Sequence, residues 1–224
     1  MKKPKVKICG ITNLADAEAA VTYGADALGF VFSRPSPRYI EVEKAQKIIA
    51  SLPPCVTAVG VFTEGTDEYI KAVVEQSGIN LIQFHGPFPR NTIEAFSTRA
   101  IQVVSIRDKK SLSGNIPFSA RAYLLDNVDE KGAGGTGTPF NWDWAIPFQK
   151  WGRIILAGGL TIENVRKAID RLHPYAVDVC SGVEEENKKG KKDHDKLKQF
   201  IEIAKAVAPT GIPSRTASLW RNWT

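Results

Sequence analysis

The sequence predicts a single (β/α)8 TIM barrel. Eight short apolar runs alternate with amphipathic segments, the pattern of parallel strands joined by crossover helices. They occupy a chain of 224 residues, within the roughly 200–250 that such a barrel needs. Glycine-rich turns follow the seventh and eighth runs, where barrels of this kind hold anions. A doubly wound open sheet shares the alternation, because periodicity does not distinguish a closed sheet from an open one. The strand count favours the barrel.

The first run, KVKIC at residues 5–9, precedes NLADAEAAVTYG, whose Ala and Leu spacing suits a helix ending at Gly24. ADALGFVF is the second strand, and EVEKAQKIIASL is a helix stopped by Pro53 and Pro54. TAVGVF leads into TDEYIKAVVEQSG, a helix with an Asp or Thr cap and a glycine end at Gly78. INLIQFHG is the fourth strand, followed by a helix around NTIEAFST. IQVVSI is the fifth, with only a weak helical signal near residues 109–112 behind it. AYLLDN, RIILAGG and AVDVCSG complete the eight, Thr161 is placed to cap the helix after the seventh, and DHDKLKQFIEIAKAVA is the last helix. Residues 1–208 are thus expected to form one catalytic barrel domain. The segment 209–224, PTGIPSRTASLWRNWT, departs from this rhythm and is expected to be a flexible tail.

With 43% hydrophobic and 24% charged residues, the composition is that of a soluble globular protein. No apolar run approaches the roughly 18–20 residues of a membrane span, and the basic start MKKPKVKICG has no apolar h-region behind it. The three cysteines, Cys9, Cys55 and Cys180, are odd in number and lack CxxC spacing, which argues against a disulfide scaffold or zinc knuckle and for a cytoplasmic location. The formal charge of +6, much of it in NKKGKKDHDKLK, suits an anionic small molecule or simply a solvated lysine face. No stripe of arginines interleaved with aromatics supports nucleic-acid binding.

A barrel places its active site at the C-terminal ends of the strands. Cys9, the loop Ser33–Arg38, His85, Asp126, Gly158 with Gly159, and Asp178 with Ser181 and Gly182 all fall there. The glycine turns LAGGLT and VCSGVE expose backbone N–H groups that can hold a phosphate, although either alone also reads as a tight strand–helix turn. GAGGTG, residues 132–137, matches G-x-G-x-x-G in form only. It lies past the end of a strand, Pro139 follows it, and no acidic residue stands at the ribose-binding distance, so a dinucleotide site is not expected. A loop that closes over a ligand and lends N–H groups of Gly134 and Gly135 to a phosphate fits better.

Arg38, in the proline-stiffened SRPSPRYI, is either a surface arginine or a bidentate clamp for a carboxylate. Asp126, behind four mostly apolar residues, is either a loop cap or a partly desolvated proton donor. Cys9 is either a small buried hydrophobe or a base, the latter only where its surroundings favour thiolate. An acid and a base on different strands would suit an isomerase. The three histidines, His85, His173 and His194, have no metal-ligand spacing, GxSxG is absent, and hydride transfer lacks a cofactor motif, so neither metal nor cofactor is implied.

KICGIT, GADALGFVF, SPRYI, QFHG, LLD, GGTG, FNW, LAGGL, VDVCSGVE and GKKD occur in an order that resembles the phosphoribosylanthranilate isomerase family of tryptophan biosynthesis, from about Lys5 to Val207. The resemblance implies an Amadori rearrangement of a phosphoribosylated anthranilate. It makes Asp126 the general acid that opens the ribose ring and Cys9 the general base at C2′. Arg38 then faces the anthranilate carboxylate, with Asp178 and His85 also expected to bind substrate. Gly134, Gly135, Gly158, Gly159, Ser181 and Gly182 are expected to hold the phosphate. The expected partners are a phosphorylated small molecule, no nucleic acid and no membrane, in a monomer or homodimer.

Two residues depart from the family pattern: Thr138 stands where lysine is usual, and Cys180 where serine is usual. Other phosphate-binding barrels fit less well. A metal-dependent epimerase would need more histidines and acids at strand ends, and a histidine-pathway isomerase would show half-barrel repetition and an aspartate in place of Cys9. A barrel that binds a phosphorylated ligand without turning it over, or a thiol-redox protein, are the readings from other classes.

Overall fold

Every strand predicted from the apolar runs forms, and the eight close on themselves. The computed structural model describes residues 3–106, 120–127 and 141–206. The strands are β1 (Lys5–Cys9), β2 (Ala27–Val31), β3 (Thr57–Phe62), β4 (Leu81–Phe84), β5 (Ala100–Ile106), β6 (Ala122–Asn127), β7 (Ile154–Leu156) and β8 (Ala176–Val179). They pair in parallel in sequence order, and β8 returns to β1 with Lys5 opposite Ala176 and Ile8 opposite Val179. That last pairing excludes the doubly wound sheet.

The helices are α1 (Leu14–Thr22), α2 (Val42–Ala50), α3 (Asp67–Ser77), α4 (Arg90–Ala95), α5 (Val165–Leu172) and α6 (His194–Lys205). Their ends obey local chemistry. Thr66 accepts from the Tyr69 N–H to open α3, and Gly78, at φ +78°, takes the left-handed turn that closes it. Asp193 opens α6 by accepting from the N–H groups of Asp195 and Lys196. One expectation shifts: α5 begins at Val165 rather than just after Thr161. The Thr161 hydroxyl still accepts from Glu163, but its own N–H is taken by Asn164, so it caps a leading turn. The predicted weak helix near 109–112, the GAGGTG loop and the tail 209–224 lie outside the described residues.

Side chains alternate along each strand, so one set packs under the helices and the other fills the barrel. Val6, Ile8, Leu125, Val177 and Val179 belong to the outer core against the helices. Val59, Ile101, Ala122, Leu124, Ile155 and Ala176 fill the interior. Two residues further along, on the same inward faces, stand Asp126 after Leu124 and Asp178 after Ala176. Lys7 and Cys9 occupy the inward positions of β1, alternating with the outward Val6 and Ile8. The interior thus changes from apolar to ionisable towards the C-terminal ends of the strands. No helix among the described residues is long and apolar enough to cross a membrane.

Candidate active site

Cys9 ends β1 with 7% of its surface exposed. Gly29 lies beside it on β2, where a Cβ would stand 2.7 Å from the Cys9 Sγ, so the glycine is what makes room for the thiol. Gly10 follows at φ +76°, the left-handed turn that carries the chain away from the site. Its own missing Cβ would meet Arg38 Cδ at 2.8 Å and Cys180 Sγ at 3.0 Å. Cys9, Arg38 and Cys180 therefore converge on one spot.

Lys7 lies directly below, its Nζ 3.0 Å from Asp178 Oδ1, and both side chains are almost wholly buried. Burial works against the Lys7 charge, but Asp178 and then Cys9 outweigh it and raise its pKa. Asp126, on β6, is pushed up to about 7, first by burial and then by the negative charge of Asp178. A hydrogen bond from the Asn127 N–H and the charge of Lys7 oppose this without cancelling it.

His85 follows β4 with its Nε2 3.6 Å from Asp126 Oδ2, too long for a hydrogen bond. Burial, followed by Lys7, lowers its pKa, so the ring is neutral at pH 7 and the pair is not a salt bridge.

Arg38 is engaged within the protein. Its Nε and Nη2 each lie 2.8 Å from a different oxygen of Glu184, a bidentate pair joining the loop after β2 to the segment after β8. That uses two of the five guanidinium N–H groups. Glu184 also accepts from the Gly190 N–H and from Lys192 Nζ at 3.2 Å, which with Arg38 holds its carboxyl below the usual range despite burial. The fully buried Lys192 donates to the Cys180 carbonyl at 3.0 Å as well.

Around Cys180 these cations decide the thiol chemistry. The adjoining Cys9 thiol, and then the charges of Lys192 and Arg38, lower the pKa of Cys180 to about 6 against the cost of burial. Glu184 Oε1, 4.0 Å from the sulfur, pulls the other way and is outweighed. Cys9, buried beside Cys180, is raised well above the ordinary thiol range, first by that neighbour and then by burial, with Lys7 opposing. Of the two, Cys180 is pushed towards the thiolate and Cys9 towards the thiol.

The glycine turns after β7 and β8 touch. A Cβ on Gly182 would lie 2.1 Å from the Leu160 carbonyl oxygen, and one on Gly158 would lie 2.4 Å from the Asn127 nitrogen, so both positions need glycine for close approach. Gly158 and Gly159 also have φ of +76° and +73°. Ser181 and Gly182 sit in a short 3-10 turn beside them. Gly134, Gly135 and Thr138 lie outside the described residues. Among the described residues, no group of three or more His, Cys, Asp or Glu is placed to hold a metal ion.

The structure adds three residues to those singled out from sequence: Lys7, Glu184 and Lys192. Lys7 had a local signal, a lysine two positions before Cys9 on an apolar strand and so on the same face. Glu184 and Lys192 fall within the motifs VDVCSGVE and GKKD, but their roles depend on Arg38 and Cys180, brought to them by the fold.

The family model described as N-(5'phosphoribosyl)anthranilate (PRA) isomerase matches residues 6–203. An N-(5'-phosphoribosyl)anthranilate isomerase of Geotalea daltonii is 47% identical over 201 residues, covering 90% of this chain and 96% of that protein. A crystal structure of phosphoribosyl anthranilate isomerase in complex with reduced 1-(o-carboxyphenylamino)-1-deoxyribulose 5-phosphate superposes with a TM-score of 0.78 at 41% identity, over 90% of this chain and 98% of that one. Monomers generated from the dimeric Thermotoga maritima enzyme give a TM-score of 0.78 at 39% identity, with the same coverage of 90% and 98%.

Proposed function

The chain belongs to the N-(5'-phosphoribosyl)anthranilate isomerase family and is an aldose–ketose isomerase of tryptophan biosynthesis, and from that premise we propose that Asp126 and Cys9 are its acid and base. The reaction is the Amadori rearrangement of N-(5-phosphoribosyl)anthranilate to 1-(2-carboxyphenylamino)-1-deoxyribulose 5-phosphate. It needs a proton given to the ribose ring oxygen and another taken from C2′.

The observation that carries the assignment is Asp126. A carboxyl held at about 7 is protonated in about half of the molecules at neutral pH and can serve as a donor. Its proton passes to the ring oxygen, the C1′–O bond breaks, and the anthranilate nitrogen lone pair completes an iminium. Cys9 then removes the C2′ proton as thiolate, giving an enolamine that tautomerises to the ketone. Cys9 acts as base when the proton of the Cys9–Cys180 pair sits on Cys180.

Asp178, tied to Lys7, is assigned to the substrate's border, where its charge helps keep Asp126 protonated, and neutral His85 is assigned a place beside Asp126. The Arg38 N–H groups not used by Glu184 are assigned to the anthranilate carboxylate. The turns at Gly158, Gly159, Ser181 and Gly182 are assigned to the phosphate, with Gly134 and Gly135 from the loop between β6 and β7. Three free cysteines accord with a reducing cytoplasm.

The test is the decay of anthranilate fluorescence when purified protein meets freshly made substrate. Cys9→Ala and Asp126→Asn are each expected to slow it by at least about 10²-fold, the lower range for a lost general acid or base, with unchanged circular dichroism. A folded Cys9→Ala variant that turns over at the wild-type rate removes Cys9 from the base role.

A further inference from the structure

We propose that Cys9 and Cys180 are a redox-active dithiol, a modification site at the mouth of the barrel that small peroxides close to a disulfide. The register of the closing strands supports it. β1 and β8 pair from Lys5 with Ala176 to Ile8 with Val179, and Cys9 and Cys180 are the next residues along the two chains. Neighbouring strands lie about 4.8 Å apart, inside the roughly 4.4–6.8 Å between Cα atoms that a disulfide spans. The two side chains already meet, Cys180 packing against the small cluster that Cys9 forms with Val31 and Val61. The third cysteine, Cys55, is exposed on the loop before β3.

Reactivity follows from the surroundings. Lys192 Nζ stands 3.9 Å from the Cys180 sulfur. Arg38 packs against the same spot, its Cδ and that sulfur both meeting the place where a Gly10 Cβ would stand. Thiolates beside such cations are the nucleophiles of thiol chemistry. Cys180 is also partly exposed. Its thiolate attacks one peroxide oxygen: an S–O bond forms, the O–O bond breaks, and hydroxide leaves. The Cys9 thiol then attacks the oxidised sulfur, forming S–S, breaking S–O and releasing water with its own proton. The two thiols are oxidised by two electrons in all, and the peroxide is reduced to water and hydroxide. A small dithiol reverses the change by exchange.

Loss of turnover on closure rests on the assignment of Cys9 as base, whereas the disulfide does not. The experiment treats the Cys55→Ser protein with near-stoichiometric hydrogen peroxide, then measures isomerase activity and maps peptides by mass without reduction. A Cys9–Cys180 linked peptide pair, two hydrogens lighter than the sum of its parts, is the expected product. Activity should fall by about 10²-fold or more, as for loss of a general base, and return with dithiothreitol. A Cys55→Ser, Cys180→Ser protein should give no linked pair and no dithiothreitol-recoverable fraction of whatever activity peroxide removes. A linked pair with turnover intact would uphold the dithiol and sink Cys9 as the base. Separate sulfinic acids, or unmodified thiols, with no linked pair would overturn the dithiol itself.

Discussion

If Asp126 is the general acid proposed, replacing it by asparagine removes the proton meant for the ring oxygen while keeping the side chain's volume. Burial, followed by the charge of Asp178, holds this carboxyl at about 7 against an ordinary 3.8. The consequences for catalysis and stability have opposite signs. A general acid is worth about 10²–10⁴-fold, so kcat/KM should fall by that factor. The wild-type profile should rise as the thiol pair loses a proton near 6 and fall as Asp126 ionises near 7. Between pH 7 and 8 the protonated fraction of such a group drops from about one half to about one eleventh. Asp126→Asn should keep the rising limb and lose the falling one.

For stability, a carboxyl that ionises less readily in the fold than in the unfolded chain favours the fold at low pH. That contribution is fully present below 3.8, declines as pH rises, and is gone above about 7. Ionisation over that interval, at 1.36 kcal/mol per tenfold, penalises the fold by roughly 4 kcal/mol. Asparagine carries no such penalty. Its melting temperature relative to wild type should therefore climb between pH 4 and pH 8.5, by about 2–4 °C for each kcal/mol in a chain of this size. Scanning calorimetry at both pH values measures it. A difference that stays flat or reverses sign would refute the claim that burial and Asp178 raise this group, and a surviving falling limb would assign it to another residue.

Lys7→Met strips Asp178 of its buried partner, and breaking such a pair costs about 3–5 kcal/mol; urea unfolding at pH 7 reads the loss, and a change below about 1 kcal/mol would show that the pair does not hold the barrel. Gly29→Ala places a Cβ 2.7 Å from the Cys9 sulfur and 3.1 Å from its Cα. The thiol must swing aside, so kcat should fall by about 10²-fold, the cost of misplacing a reacting group by about 1 Å, with KM nearly unchanged. Wild-type kcat in this variant would show that the sulfur need not lie where it does.

Much was legible in the sequence because it depends on neighbours in the chain. The strands announce themselves by short apolar runs, and a cysteine and an aspartate at the ends of β1 and β6 stand out against Val, Ile and Leu. The helix limits at Thr66, Gly78 and Asp193 follow from capping chemistry within four residues. Where the choice of helix start depended on competition between two caps, as between Thr161 and Asn164, the local pattern was not enough.

Tertiary structure decided what each functional group is. Closure of the barrel joins β1 to β8, and only then do Cys9 and Cys180, far apart in the chain, meet. The same closure gives Lys7 its partner in Asp178, 171 residues away, and Arg38 its partner in Glu184, 146 residues away. A pKa depends on burial and on charges within a few ångströms, quantities that residue order does not contain. The sequence determined which side chains reach the mouth of the barrel. The fold decided that Asp126 is poised near neutrality, that cations favour the thiolate at Cys180, and that Arg38 already pairs with Glu184.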